Sequence, residues 1–175
     1  MLQLILSPTH GWEDISYDSA EPKSLMTGGF IPWISLAAAT TFIPLIYSNN
    51  SEILPLLQDC IVTFLMFFIT YFFAGFAFSF YMPRISFGSS GDKRHHTFIL
   101  YSLGLLALLS IVKHCLPINL AILNFYPLYV ILIMWRGVKY LKVTQPGVIP
   151  FISLCLLSIM LPLIILQLLF NLIIP

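Results

Sequence analysis

Adjacent His95 and His96, preceded by Arg94, are the side chains in this sequence that most invite a metal ion or an anion. Imidazole is a common metal ligand. Neighbouring residues on a helix or strand point in different directions, however, which suits a single metal poorly. A solvated loop end is the expectation for the pair. Lys113 and His114 form a second polar couple, and Cys60, Cys115 and Cys155 are the three thiols. The cysteines show no C-x-x-C and no paired metal spacing, so the expected set of cofactors is none. Cys60 begins one apolar segment and Cys115 closes another, which five crossings would put on the same outer side; they could pair if that side is oxidising, and two independent thiols are the expectation because nothing in the sequence fixes their separation. There is no H-E-x-x-H, no G-x-S-x-G and no pair of aspartates within the apolar segments. Those segments carry hydroxyls, Asn124 and Gln167, but no carboxylate, which argues against a proton path. The chemistry expected is therefore not catalysis.

What remains are cations. Arg84, Lys93, Arg94, Arg136, Lys139 and Lys142 all fall in two polar stretches, 82–96 and 136–147. If these stretches share a membrane face, the six side chains suit anionic lipid headgroups, at about 1 kcal/mol per residue near the surface. The competing reading is that they only set orientation.

The elements that must hold these residues are apolar. Of the 175 residues 59% are hydrophobic and 9% charged, too few charges to cover the surface of a soluble fold this small. Net charge is +1, and no basic recognition helix is visible, so nucleic acid is not an expected partner. Met1–Leu6 lacks the basic start and the length of a cleaved leader.

The charge-free runs give the spans. A helix of about 20 apolar residues crosses a core about 30 Å thick. Five fit: 30–47, 60–81, 97–116, 120–135 and 148–170. The third is the shortest uninterrupted run, ending in Lys113 and His114. It spans if Lys113 extends its ammonium to the interface, and Leu116-Pro117 then closes the helix. Five crossings put Lys23 and the six cations above on one side and leave Lys113 alone on the other. That asymmetry predicts a cytoplasmic N-terminus and an outer C-terminus. The expected fold is an all-α polytopic membrane helix bundle with five transmembrane helices and a short N-terminal interfacial segment. The domains are 1–29, cytoplasmic or interfacial, and 30–175, the membrane domain.

Within the first of these, Ser7-Pro8 reads as a helix start. Trp12 and Ile15 then share one face of a helix over 8–16, with Trp12 expected as an anchor at headgroup level. Gly28-Gly29 is expected as a flexible joint. Trp135 is the second expected interfacial anchor. Gly75 and Ser79 form a small-xxx-small pair, and Gly104, Ala107 and Ser110 a small stripe; both predict close helix packing.

The order of several short motifs resembles the Yip family of five-span membrane proteins, in its compact bacterial-type branch. "SPTHGWEDIS" carries Pro8, Trp12 and Ile15; "LMTGGFIPWISLAAATTFI" carries Pro32; "TFILYSLGLLALLSIVKHCLP" carries Tyr101, Ser102 and Pro117; "PLYVILIMWRGVKYL" carries Tyr129, Trp135 and Gly137. The resemblance implies an all-helical membrane domain with a cytoplasmic N-terminus. In eukaryotic members it implies vesicle traffic with Rab-type GTPases. The long N-terminal region and the Asp-Leu-Tyr-Gly-Pro stretch of those members are missing here, so a Rab-type GTPase is not carried over to this chain. For the bacterial branch the resemblance implies the cytoplasmic (inner) membrane and no established activity. The function expected is a non-enzymatic membrane protein acting through helix packing with lipids, a membrane-protein partner or a second copy, in a membrane-organisation or trafficking-like role. The alternative is a small-molecule or ion permease, which needs a polar lining between the spans.

Overall fold

The computed structural model describes residues 2–18, 21–47, 53–86, 94–116 and 125–173. The described residues form helices joined by short turns, with one isolated β-bridge between Ser86 and Val143. Two short helices, α1 (Leu2–Leu6) and α2 (Pro8–Asp18), come first. Four helices long and apolar enough to cross a membrane follow: α3 (Pro22–Ile46), α4 (Ile53–Ile85), α5 (Arg94–Cys115) and α7 (Gln145–Phe170). Between the last two lies a shorter helix, α6 (Tyr126–Arg136).

Local chemistry explains the shapes of these helices. Glu21 is extended and Pro22 takes the first position of α3, where its missing N–H costs nothing. Both α3 and α7 contain a wide turn that closes one residue later than an α-helix does. Ile31 N–H reaches the Met26 carbonyl, and Leu161 N–H reaches the Leu156 carbonyl. Each wide turn sits directly before a proline, Pro32 and Pro162. A proline ring presses on the carbonyl four residues back, here Gly28 and Ser158, and a widened turn makes room for it. Gly28-Gly29 is accordingly not a hinge: both lie inside this continuous helix. In α7 the Ser158 hydroxyl donates to the Leu154 carbonyl at 2.6 Å.

Helices α3, α4 and α5 pack against one another, and α7 lies along α4. Helix α6 fits between α5 and α7, and α2 packs against α6. Helix α5 is the hub: 56% of its apolar window is buried, against 28–33% for the other three. Gly104 and Ala107 are buried, and the Trp33 indole of α3 donates to the Gly104 carbonyl at 2.9 Å. Conversely Phe72, Phe73 and Phe76 of α4 and Ile164 and Leu168 of α7 are exposed. Such an apolar surface requires a cover, and a bilayer supplies it.

The helix ends sort into two groups. At one end, Thr41 of α3 donates to the Leu56 carbonyl of α4, and Thr40 is 3.1 Å from His114 Nδ1 of α5. At the other, Thr144 before α7 bonds the Ile85 carbonyl at the end of α4 through its N–H, at 3.0 Å, and its hydroxyl, at 3.1 Å. Helix α6 runs antiparallel to α5: Gly137 at its C-terminus meets Phe98, and Pro127 at its start shares a cavity with Ser110, Lys113 and His114.

The expected spans thus have four counterparts among the long helices. The expected third span, 97–116, is α5, beginning three residues earlier. The second is longer than 60–81: α4 runs for 33 residues, about 50 Å, and includes Asp59. The expected 120–135 span overlaps α6, whose 11 residues, about 16 Å, are too short to be counted with the four long helices; residues 117–124, with Asn124, lie outside the described residues.

Candidate headgroup-binding pocket

The basic end of the bundle holds a cavity of about 360 Å³ whose cations are Arg94, Arg136, Lys139 and Lys142. Three elements build it. Arg94 opens α5, Arg136 closes α6, and Lys139 and Lys142 sit in the turn after α6. Two features aim that turn. Gly137 lies so close to Phe98 that a Cβ there would fall 2.5 Å from the ring. Lys142 has φ of 52°, the left-handed region that non-glycine residues pay to enter. The reversal at Lys142 delivers Val143 and Thr144 to the end of α4, where they pair with Ser86 and Ile85.

Helix α2 forms the remaining wall. Thr9, Trp12, Glu13, Ser16 and Tyr17 line the cavity, and their spacing is that of one helical stripe. Trp12 was the expected headgroup anchor, and the structure corrects that role. It is 3% exposed, its indole stacked on Phe98 with centroids 5.0 Å apart and on Tyr140 at 5.2 Å. Its Nε1–H donates to the Ile133 carbonyl at 2.9 Å. An indole enclosed in this way has no free face for lipid; it forms the floor of the pocket. Beneath it Phe98, Phe78 and Phe151 form a ring cluster with centroid separations of 5.6–6.3 Å. Helix α1 braces the assembly: Leu4 is buried, and the Tyr129 hydroxyl donates to the Ile5 carbonyl. Ile15 packs on the same core, so Trp12 and Ile15 do share a face.

The pocket is lined by four cations, by Thr9, Tyr17 and Tyr140, by Ser16, whose hydroxyl donates to the Glu13 carbonyl at 2.6 Å, and by one carboxylate, Glu13, which lies 3.2 Å from His10 Nδ1. This donor set suits a phosphate or another multivalent anion. Arginine can present two parallel N–H groups to such a ligand and lysine a point charge.

The other expected positions separate. Arg84 stands apart from the pocket, its guanidinium 4.8 Å from the centroid of Phe80 and 6.0 Å from that of Tyr81. Lys93 lies outside the described residues. Trp135 is 55% exposed, beside Arg136. Gly75 and Ser79 receive the first turn of α5: His96 Cε1 is 3.5 Å from the Cβ position of Gly75, and His95 Nε2 is 3.2 Å from Ser79 Oγ. His95 and His96 do not sit in a loop end, since both lie in α5. Their rings do not diverge either, with centroids 4.3 Å apart, because the groove at Gly75 and Ser79 gathers them. Among the described residues no group of three or more His, Cys, Asp or Glu could hold a metal. Cys60, Cys115 and Cys155 are free thiols.

A second cavity, of about 280 Å³, opens at the opposite end between α4, α5, α6 and α7. Thr63, Ser110, Lys113, His114 and Gln167 are its polar lining. No family model matches this chain, and no curated protein or solved structure matches it.

Proposed function

We propose that this chain is a non-enzymatic multi-pass membrane protein of the Yip type that engages anionic lipid headgroups through the pocket of Arg94, Arg136, Lys139 and Lys142. The observation that carries this reading is the convergence of four cations from three separate elements on one hydroxyl-rimmed cavity. In this reading α6 belongs to the fifth crossing. The pocket then faces the cytoplasmic leaflet of a bacterial inner membrane, where anionic lipids meet juxtamembrane cations. Exposed Trp135 serves as the interfacial anchor beside the pocket. The lipid-facing surfaces of α4 and α7 are where a membrane-protein partner or a second copy would pack.

A permease is the second reading, favoured by the polar lining of the cavity at the opposite end. Buried Ser102, Leu103, Leu105, Leu106 and Ala107 fill the middle turns of α5 between the two cavities, and this packing supports the headgroup reading over a conduit.

The test is lipid binding by the full chain in nanodiscs of neutral phosphatidylcholine doped with phosphatidylglycerol. Neutralising Arg136 and Lys139 together (Arg136→Gln with Lys139→Gln) is expected to lower affinity for the anionic lipid roughly 20- to 30-fold, from about 1 kcal/mol per cation. Glu13→Gln is expected to raise it. An equal loss from Arg84→Gln with Lys23→Gln, which removes the same charge outside the pocket, would contradict a defined site.

A further inference from the structure

We infer that the cavity between α4, α5, α6 and α7 is a site for a single-chain amphiphile with a carboxylate head, a long-chain fatty acid, bound from the leaflet opposite the basic pocket. The cavity has two chemical halves. Its polar half gathers Lys113, His114, Ser110, Thr63 and Gln167 from three helices. Its other half is apolar, with Phe67, Leu106, Met160 and Ile164 among the walls. Among the described residues Lys113 is the one cation on the lining, and with the Asp59 carboxylate of α4 also acting on His114 the cavity mouth suits at most a single added negative charge. His114 Nδ1 is already engaged by Thr40, at 3.1 Å, which holds that ring against α3. The hydroxyls of Ser110 and Thr63 and the amide of Gln167 can complete the hydrogen bonds of a carboxylate.

The apolar half decides the rest of the ligand. At about 280 Å³ the cavity is small for a site that encloses a whole drug-sized molecule. It accommodates the head and the first part of one chain. Ile164 on its wall is exposed toward the outside of the bundle, as is Leu168 one turn further along α7. A chain leaving the cavity therefore continues along a surface that the bilayer already covers. A cavity of about 280 Å³ that already holds the head has room for the start of one acyl chain and not of two, which is why the structure suits a fatty acid better than a diacyl phospholipid. The site lies at the far end of the molecule from the headgroup pocket and shares no residue with it, so either assignment can fail without the other.

The experiment uses the full chain in phosphatidylcholine nanodiscs and a diazirine-bearing palmitate as photoprobe. Expected labelling falls on Met66, Leu109, Met160 or Leu163 of the cavity wall, and free oleate competes it away. Methyl oleate, which keeps the chain and loses the charge, is expected to compete at least tenfold more weakly, the scale of one charge-assisted hydrogen bond. Lys113→Gln is expected to cut labelling by a similar factor, Lys113→Arg to preserve it, and Lys139→Gln to leave it unchanged. Should Lys113→Gln prove unfolded, the competitor series on the unaltered protein decides alone. Labelling spread evenly over lipid-facing residues, equal competition by methyl oleate, or stronger competition by phosphatidylglycerol than by oleate would each overturn the assignment.

Discussion

Trp12 and Lys142 show how single residues divide the work at the basic end. The Trp12 indole makes two stacked contacts and one hydrogen bond inside the protein. Trp12→Ala is expected to destabilise the fold by about 3–5 kcal/mol, as other large-to-small core substitutions do, and a denaturation midpoint in detergent micelles measures it. Lys142 pays for a left-handed backbone while contributing a cation. Lys142→Gly should separate the two roles. Relief of the strain, offset by glycine's own chain entropy, predicts a net gain of about 0.5–1 kcal/mol in stability. Anionic-lipid affinity should fall about fivefold in the same variant. A variant that loses stability and keeps affinity would contradict both assignments. Gly137→Ala places a methyl 2.5 Å from the Phe98 ring and 3.0 Å from the Met134 carbonyl oxygen, and is expected to cost about 1–3 kcal/mol, read as a lowered denaturation midpoint in detergent micelles.

At the scale of elements, the sequence announced the helices better than their neighbours. The run ending in Lys113 and His114 was legible as a span because a snorkelling lysine allows it. Its burial as the hub was not legible, since an apolar helix reads alike whether protein or lipid surrounds it. Trp12 failed for a related reason. The spacing of Trp12 and Ile15 fixed a face, but nothing local says whether that face meets headgroups or a ring cluster formed by Phe98 and Tyr140. The fuller stripe of Thr9, Trp12, Glu13, Ser16 and Tyr17 was present in the sequence and names the wall of the pocket. The four cations were visible only as part of a set of six that included Arg84 and Lys93. Which of them converge depends on the turn after α6, and Arg84 shows no local sign of standing apart. The α1–α2 pair offers an element-scale test. A Cβ on Gly11 would lie 2.9 Å from the backbone of Leu4, so Gly11→Val should force the two helices apart. Limited proteolysis is expected to cut within residues 1–18 much faster than in the unaltered protein, while the helical circular dichroism of the four long helices is retained. Protection equal to that of the unaltered chain would show that α1 and α2 do not close on each other at Gly11.

The molecule as a whole is a two-ended object. Arg84, Arg94, Arg136, Lys139 and Lys142 stand at one end and Lys113 at the other, with α5 as the axis and lipid-ready apolar surfaces outside. The headgroup proposal depends on which end faces which leaflet, and the placing of the two sites in opposite leaflets depends on α6 carrying the chain from one to the other. Cys115, which is exposed, precedes α6, and Lys139 follows it. In a chain with Cys60→Ser and Cys155→Ala, a membrane-impermeant maleimide applied to intact cells should label Cys115. With Cys115→Ser and Lys139→Cys in the same background, labelling should appear only after the membrane is opened. Labelling of both positions from the same side would show that α6 does not cross, and the opposite order would place the basic pocket on the outer face.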